Sequence, residues 1–510
     1  MSGGEWTRRV CVAMAVSCMM VASPSTAIAE VFAGGPDDDI EAMINGLQPG
    51  DELVLAGGMY TLSERFSFAI TGTENNPIVI RADDGETPHF HRPDANQNVI
   101  DIDDAEFVTL RGIEVSGGSA GIRISGARFL TIEGCEIHDT GDVALRANDT
   151  GVTYESLRIL RNHIHHTNNT GEGMYLGCNN SGCEVVNSLI EGNYIHHTDQ
   201  PSVSQGDGIE LKEGSSGNVI RDNVIHDTNY PCILTYATNG NPNIIERNAM
   251  WSCGDHGIQS AADAVIRNNI ILSASADGIA MQPHQAGSPS NLVVVHNTIL
   301  NASGDAISLR GITGSVIIAN NALYSQSGRA FYANGTADLV FLGNVGVGEA
   351  SMPIATGNLD LDFVAAGFAG APTMDLFPEG GGSLPGAGSA THVPADDFNG
   401  TLRQGAPDVG AYAYLDDGNP GWTLAESFKT RAPNEDPGAG GTGGAAHGFG
   451  GSTGAVPGTG GALAERPHAE DPSGSGCSIG RHGHGPQLLC WLLGLAALAR
   501  RRGARRSWLH

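Results

Sequence analysis

Between residues 75 and 350 one order of apolar and polar positions recurs: aliphatic, two variable residues, Asn, one variable residue, aliphatic. It reads Ile159-x-x-Asn162-x-Ile164, Ile190-x-x-Asn193-x-Ile195 and Ile220-x-x-Asn223-x-Ile225. It continues through Asn248, Asn269, Asn297 and Asn321 and closes at Asn344, with Ile113 and Cys135 in the Asn position of earlier copies. Successive Asn residues lie 21 to 31 positions apart. That period, made of short aliphatic pairs between polar turns, predicts stacked β-coils, none able to bury its apolar face alone. Stacking sets equivalent Asn side chains over one another, where they hydrogen-bond along the axis.

A second column precedes each Asn unit: Gly121-Ile122-Arg123-Ile124, Gly173-Met174-Tyr175-Leu176, Gly208-Ile209-Glu210-Leu211, Gly257-Ile258-Gln259. Two-residue alternation turns the aliphatics inward and sends Arg123, Tyr175, Glu210, Gln259 and Tyr332 outward. One step further on the same face come Lys212, Tyr236, Gln282 and Arg310, with His284 at its edge. Two coils are oversized, with extra residues around 167–172 and 197–205. Insertions in a solenoid become loops on one flank, here walling the tier that leads into Lys212.

The pattern also sets the boundaries. Residues 30–74 predict a cap with first strands: residues 37–47 put Ile40, Met43, Ile44 and Leu47 on one helical face, suited to covering an open end of the stack. Residues 351–430 lose the repeat and form a closing region. Residues 431–475, rich in Gly, Ala, Ser, Thr and Pro, make a linker that cannot pack a core. Residues 476–510 hold Cys477, an apolar stretch of about 12 residues, short for a membrane span, and Arg500-Arg501-Arg502. At the other end, residues 1–29 read as a signal peptide: Arg8-Arg9, an apolar run, and Ala27-Ile28-Ala29 as the cleavage site. Export permits disulfides, with Cys178–Cys183 and then Cys232–Cys253 as the candidate pairs.

Composition narrows function. Gly at 72 and a charged fraction of 16% suit turn-rich β-structure. A net charge of −29 excludes a general nucleic-acid binder, while an acidic polymer remains a possible partner where Arg, Lys or Ca2+ lines the groove. Of 27 Lys plus Arg, only Lys212 and Lys429 are lysine. An ammonium can lose its proton in a suitable environment and a guanidinium scarcely does, so Lys212 is the candidate base. Glu210 beside it favours the charged ammonium, unless Glu210 holds Ca2+ together with Asp207 and Glu172. Otherwise Lys212 is a cationic clamp with Tyr175 or Tyr236 nearer the proton, or Lys212 and Glu210 form a surface salt bridge of little worth. His256, with Asp255, is a further acid–base candidate. Arg123, Gln259, Gln282, His284 and Arg310 are the candidate substrate-binding residues. His138, His165, His196 and His226 share one slot in successive coils, as a stacked ladder requires, with a metal site as the alternative.

These residues carry a resemblance. The repeats resemble the right-handed parallel β-helix superfamily of secreted polysaccharide lyases, and Gly72-Thr73-Glu74-Asn75-Asn76-Pro77-Ile78-Val79-Ile80-Arg81-Ala82 looks like the opening coil of its alginate and chondroitin lyases. Asp207-Gly208-Ile209-Glu210-Leu211-Lys212 is similar to the strand that carries the base lysine in one family of β-helix pectate lyases. Those lyases follow it, one coil on, with paired aspartates for Ca2+, where this chain has Tyr230-Pro231-Cys232. Cys477 with the apolar run and arginines resembles a myxobacterial C-terminal sorting tag. The resemblance implies an all-β, right-handed parallel β-helix with a short N-terminal helical cap. It implies a secreted, monomeric protein at the cell surface or outer membrane, its C-terminal segment engaging membrane or sorting machinery. The expected function is a polysaccharide lyase on acidic glycans; a carbohydrate-binding adhesin and a glycoside hydrolase are the alternatives.

Overall fold

The computed structural model describes residues 29–430 apart from 237–239, 286 and 336. The signal peptide, the Gly-rich linker and the sorting segment expected from the sequence lie outside the described residues. What is described is an all-β, right-handed parallel β-helix of about 12 turns. The ladder begins with Val31–Gly34 paired to Glu52–Leu55. The short helix Ile40–Gly46, whose N-cap Asp39 accepts a hydrogen bond from the Ala42 N–H, buries Ile40 and Ile44 in the first turns.

Each turn contributes three strands to three faces. Around the central coil, Ile209–Leu211 lies on face one, Val219–Arg221 on face two and Val224–Thr228 on face three; the next turn re-enters face one at Ile233–Thr235. Every one of these strands pairs in parallel with its equivalent one turn on. Inward aliphatics stack in register, as in Ile122, Leu145, Met174, Ile209, Ile233 and Ile258, and form one continuous core.

The Asn column is a hydrogen-bond ladder. The Asn193 backbone N–H and its Nδ2 both donate to Asn223 Oδ1 at 2.9 Å, Nδ2 also donates to the Ile159 carbonyl, and the set repeats from Asn162 to Asn344. The residue before each ladder Asn is left-handed. Arg161, Asp222, Arg247, Asn268, His296 and Asn320 have φ between 52° and 59°, and Gly192 and Gly343 do the same with less strain. This two-residue bend turns face two into face three. A second, shorter ladder of Ser188, Asn218 and Asn243 lies between faces one and two.

On face three the His slot is a ring stack. His138, His165, His196 and His226 follow at centroid distances of 5.0, 5.1 and 5.1 Å, and Trp251 completes it at 4.6 Å. Cys178–Cys183 and Cys232–Cys253 are both disulfide-bonded. From Phe363 to Leu424 the closing region returns along face three and packs Phe377, Phe398 and Tyr412 over Trp251, Leu272 and Tyr324. Lys429 pins its end: the buried ammonium donates to Asp222 Oδ1 at 2.8 Å and to the Arg247 carbonyl at 2.9 Å.

Candidate functional site

The outward column of face one follows the predicted alternation. Strand register aligns Arg123, Arg146, Tyr175, Glu210, Leu234, Gln259, Ala280, Ser308 and Tyr332 in successive turns. The turn that opens each face-one strand forms a parallel column: the Gly173 N–H donates to the Asp207 carbonyl, Gly208 to Pro231, Cys232 to His256 and Gly257 to Asp277. Gly208 is required here, because a Cβ would sit 2.5 Å from Ile225 Cγ2 and 2.6 Å from the Cys232 carbonyl. That close approach holds Asp207 at the bend, one rung above Glu172 and three residues before Glu210.

The oversized loops then close over this tier. The Ser204 and Gln205 N–H groups donate to the Asn169 and Thr170 carbonyls, and Val203 lies against Gly171. The outward acids and the lysine of this tier are buried: Glu172 is 0% exposed, Asp207 and Glu210 1%, and Lys212 3%. One carboxylate oxygen from each of Glu172, Asp207 and Glu210 lies within 4.8 Å of the others. Asp207 Oδ1, Glu210 Oε2 and both Glu172 oxygens accept no well-formed hydrogen bond from the described residues.

Lys212 Nζ donates to Glu210 Oε1 at 2.8 Å and lies 4.3 Å from the centroid of the Tyr236 ring and 5.1 Å from that of Tyr175. The pair is buried, not on the surface, which corrects the reading of a solvated salt bridge; desolvation makes a lone member costly. Burial, then the charge of Glu210, pushes Glu172 up to about 7. Burial and the neighbouring carboxylates raise Asp207, and burial raises Glu210 against the pull of Lys212. For Lys212 burial works against the ammonium, but Glu210 and Tyr175 outweigh it and the group ends above its ordinary value. Burial pushes Tyr175 up to about 12 and also raises Tyr236, so both phenols keep their protons at neutral pH.

The other predicted residues spread along the face. Tyr236 accepts from Gln285 Nε2 at 3.2 Å and stacks on His284, which burial and then the Lys212 charge hold below its ordinary value. Gln259 is buried two rungs beyond Glu210, and Gln282 is half-buried. His256 stands apart from the carboxylates: its Nδ1 accepts from the Asp277 N–H, and Nε2 is 3.7 Å from Asp255. Arg310 is tied to Asp277 and Asp305, and Arg123 to Asp149 and Asp101. Sequence reasoning missed Arg146, which lies between Arg123 and Tyr175, and Glu213, buried beside Lys212 with Oε2 unpartnered among the described residues. Glu213 directly follows the lysine, but the chain has left the strand there and alternation no longer says where it points.

Two family models match: "Right handed beta helix region" over residues 186–323 and "Pel9A-like, right handed beta helix region" over residues 29–229. Both are β-helix regions, the second of the pectate-lyase-like kind. No curated protein matches the chain. Among solved structures, an alginate lyase from Paenibacillus sp. str. FPU-7 is 20% identical, covering 64% of this chain and 97% of its own, with a TM-score of 0.39. Pectate lyase Pel9A is 14% identical, covering 76% and 96%, at 0.45. XylC, solved with xylose, is 10% identical, covering 76% and 99%, at 0.53, and shares the fold.

Proposed function

We propose that the chain is a secreted, surface-anchored polysaccharide lyase that cleaves an acidic polysaccharide by β-elimination at the Lys212 tier. The observation that carries this is the buried cluster of Glu172, Asp207 and Glu210, with unpartnered oxygens, closed by Lys212 and two tyrosines. β-Elimination from a uronate needs the C5 proton removed while the adjacent carboxylate is neutralised. Three buried carboxylates that each keep at least one oxygen without a hydrogen-bond partner among the described residues fit a hard cation, Ca2+, and Glu172, Asp207 and Glu210 would hold it. When bound, it supplies positive charge that stabilises the enolate-like carboxylate.

Lys212 is the residue to take the C5 proton. Glu210 is the largest influence holding its ammonium charged against burial, ahead of Tyr175 and Glu213, so engaging Glu210 elsewhere favours release of the proton. Tyr175, half-buried and protonated, is placed to give a proton to the leaving oxygen, and Tyr236 orients the lysine under its ring. Arg123, Gln259, Gln282, His284 and Arg310 would contact sugars to either side; His256 lies too far along the turn column to share the proton.

The test is incubation with pectate, alginate and chondroitin in Ca2+, read near 235 nm for unsaturated products. Rising absorbance that Lys212→Met abolishes supports the lyase; reducing ends without absorbance mean hydrolysis, and binding without either means an adhesin.

A further inference from the structure

Face three carries chemistry that the proposed reaction does not use. One outward row runs His89, Glu114, Glu136, His163 in successive turns. The row two residues on runs Ser116, His138, His165. The closing region covers the later rungs of this face, meets His163 with the edge of Phe428, and leaves these earlier residues half-exposed.

The two rows interlock into two trios. Glu114 Oε1 is 3.1 Å from His89 Nδ1 and 3.1 Å from His138 Nε2. Glu136 Oε1 is 3.3 Å from His163 Nδ1 and 3.1 Å from His165 Nε2. In each trio one ligand atom per residue lies within 4.8 Å of the others. We propose that these trios are two binding sites for a divalent transition metal of the Zn2+ class, separate from the carboxylate cluster of face one.

Three features point to metal. First, two imidazoles and one carboxylate per trio match the N/O donor set of Zn2+ sites that keep a fourth position open, and imidazole selects such ions over Ca2+. Second, in every ligand histidine the ring nitrogen facing away from the glutamate has a partner. His89 Nε2 meets Ser116 Oγ at 2.7 Å and His138 Nδ1 meets Asp139 Oδ2 at 2.8 Å. His165 Nδ1 meets His166 Nδ1 at 2.7 Å, and His163 Nε2 meets His196 Nε2 at 2.8 Å. Such outer contacts fix ring orientation and tautomer and leave the inner nitrogen for the ion. Third, the ligands sit on paired parallel strands, so their spacing is set by the ladder and not by loops. A purely structural His–Glu network would take up no metal, which separates the two readings.

The test is calorimetric titration of the full chain with ZnCl2 in a buffer saturated with CaCl2, so that the oxygen cluster of face one does not compete. Wild type takes up zinc at both trios. His89→Ala lowers the stoichiometry by one, Glu136→Gln lowers it by one, and the double variant loses both, with circular dichroism showing an intact fold. Asp139 is exposed and its φ of 49° suits Asn, so Asp139→Asn keeps the backbone and weakens one site about 10–100-fold. Stoichiometry that neither His89→Ala nor Glu136→Gln changes, or wild-type affinity in Asp139→Asn, overturns the proposal.

Discussion

Lys212 and Glu210 form a buried ion pair inside a cluster of acids, and each is ionised largely because the other is. Removing the lysine strands a carboxylate among Glu172, Asp207 and Glu213. In metal-free buffer Lys212→Met therefore loses about 3–5 kcal/mol, and adding Glu210→Gln restores most of it. Urea denaturation of both variants checks this; equal losses would mean the pair is not coupled. Lys212→Arg keeps the charge but lacks a removable proton near neutral pH, so on the proposed lyase activity kcat falls by about 10²–10⁴-fold. The scarcity of lysine made Lys212 legible in the sequence. Its burial was not, because Glu210 and the Tyr175 and Tyr236 rings of the neighbouring turns enclose it, and contacts between turns do not show in the alternation along one strand.

At the scale of elements, the Asn ladder and the left-handed residue before it form one device. Asn248→Ala leaves the Asn223 N–H and Nδ2 without their acceptor and the Ile220 carbonyl without its donor, all buried. The expected cost is about 3 kcal/mol or more by chemical denaturation. Asn344→Ala, at the last rung, strands the matching set, the Asn321 N–H and Nδ2 and the Ile318 carbonyl, and should cost a similar amount. His296 occupies one left-handed position, buried under the closing region. Its Nε2 contacts Asn320 Nδ2 at 3.0 Å, and Asn320 also donates to the Ser389 carbonyl. Burial, then Arg403, holds His296 well below its ordinary value of 6.5. The unfolded chain therefore binds a proton that the folded chain refuses. The stability His296 contributes is fully present above about pH 6.5 and is lost as pH falls below it. Thermal melts should show that loss, and His296→Asn, which suits both the backbone and the acceptor role, should make it shallower, the remainder coming from other buried histidines such as His196 and His226. The ladder itself was legible, since every rung repeats one residue at one offset. The bend before it was legible only in part: Gly192, Asp222, Asn268, Asn320 and Gly343 are residues that tolerate positive φ, but Arg161, Arg247 and His296 hide the rule. The His stack was readable as a repeated slot, whereas the Glu114 and Glu136 contacts depend on register between rows and are invisible along one strand.

At the scale of the molecule, charge opposes the proposed substrate. The chain carries −29, and the Lys212 tier gathers Glu172, Asp207, Glu210 and Glu213 around one ammonium. A polyuronate approaching without a cation meets repulsion both locally and at long range. Local repulsion is relieved by an ion at the carboxylates, so chelation should abolish polymer binding as well as turnover. The long-range part is relieved by screening, which cuts the reach of the repulsion from about 30 Å at 0.01 M salt to about 8 Å at 0.15 M. With Ca2+ held saturating, kcat/KM on polyuronate should thus rise as NaCl goes from about 10 mM to about 150 mM, while kcat stays level. A protein that gathers a polyanion on a basic surface shows the opposite slope, because bound counterions are released. Initial rates across that salt range decide the matter: a falling kcat/KM would mean that Arg123, Arg146 and Arg310, despite their aspartate partners, present net positive charge to the substrate.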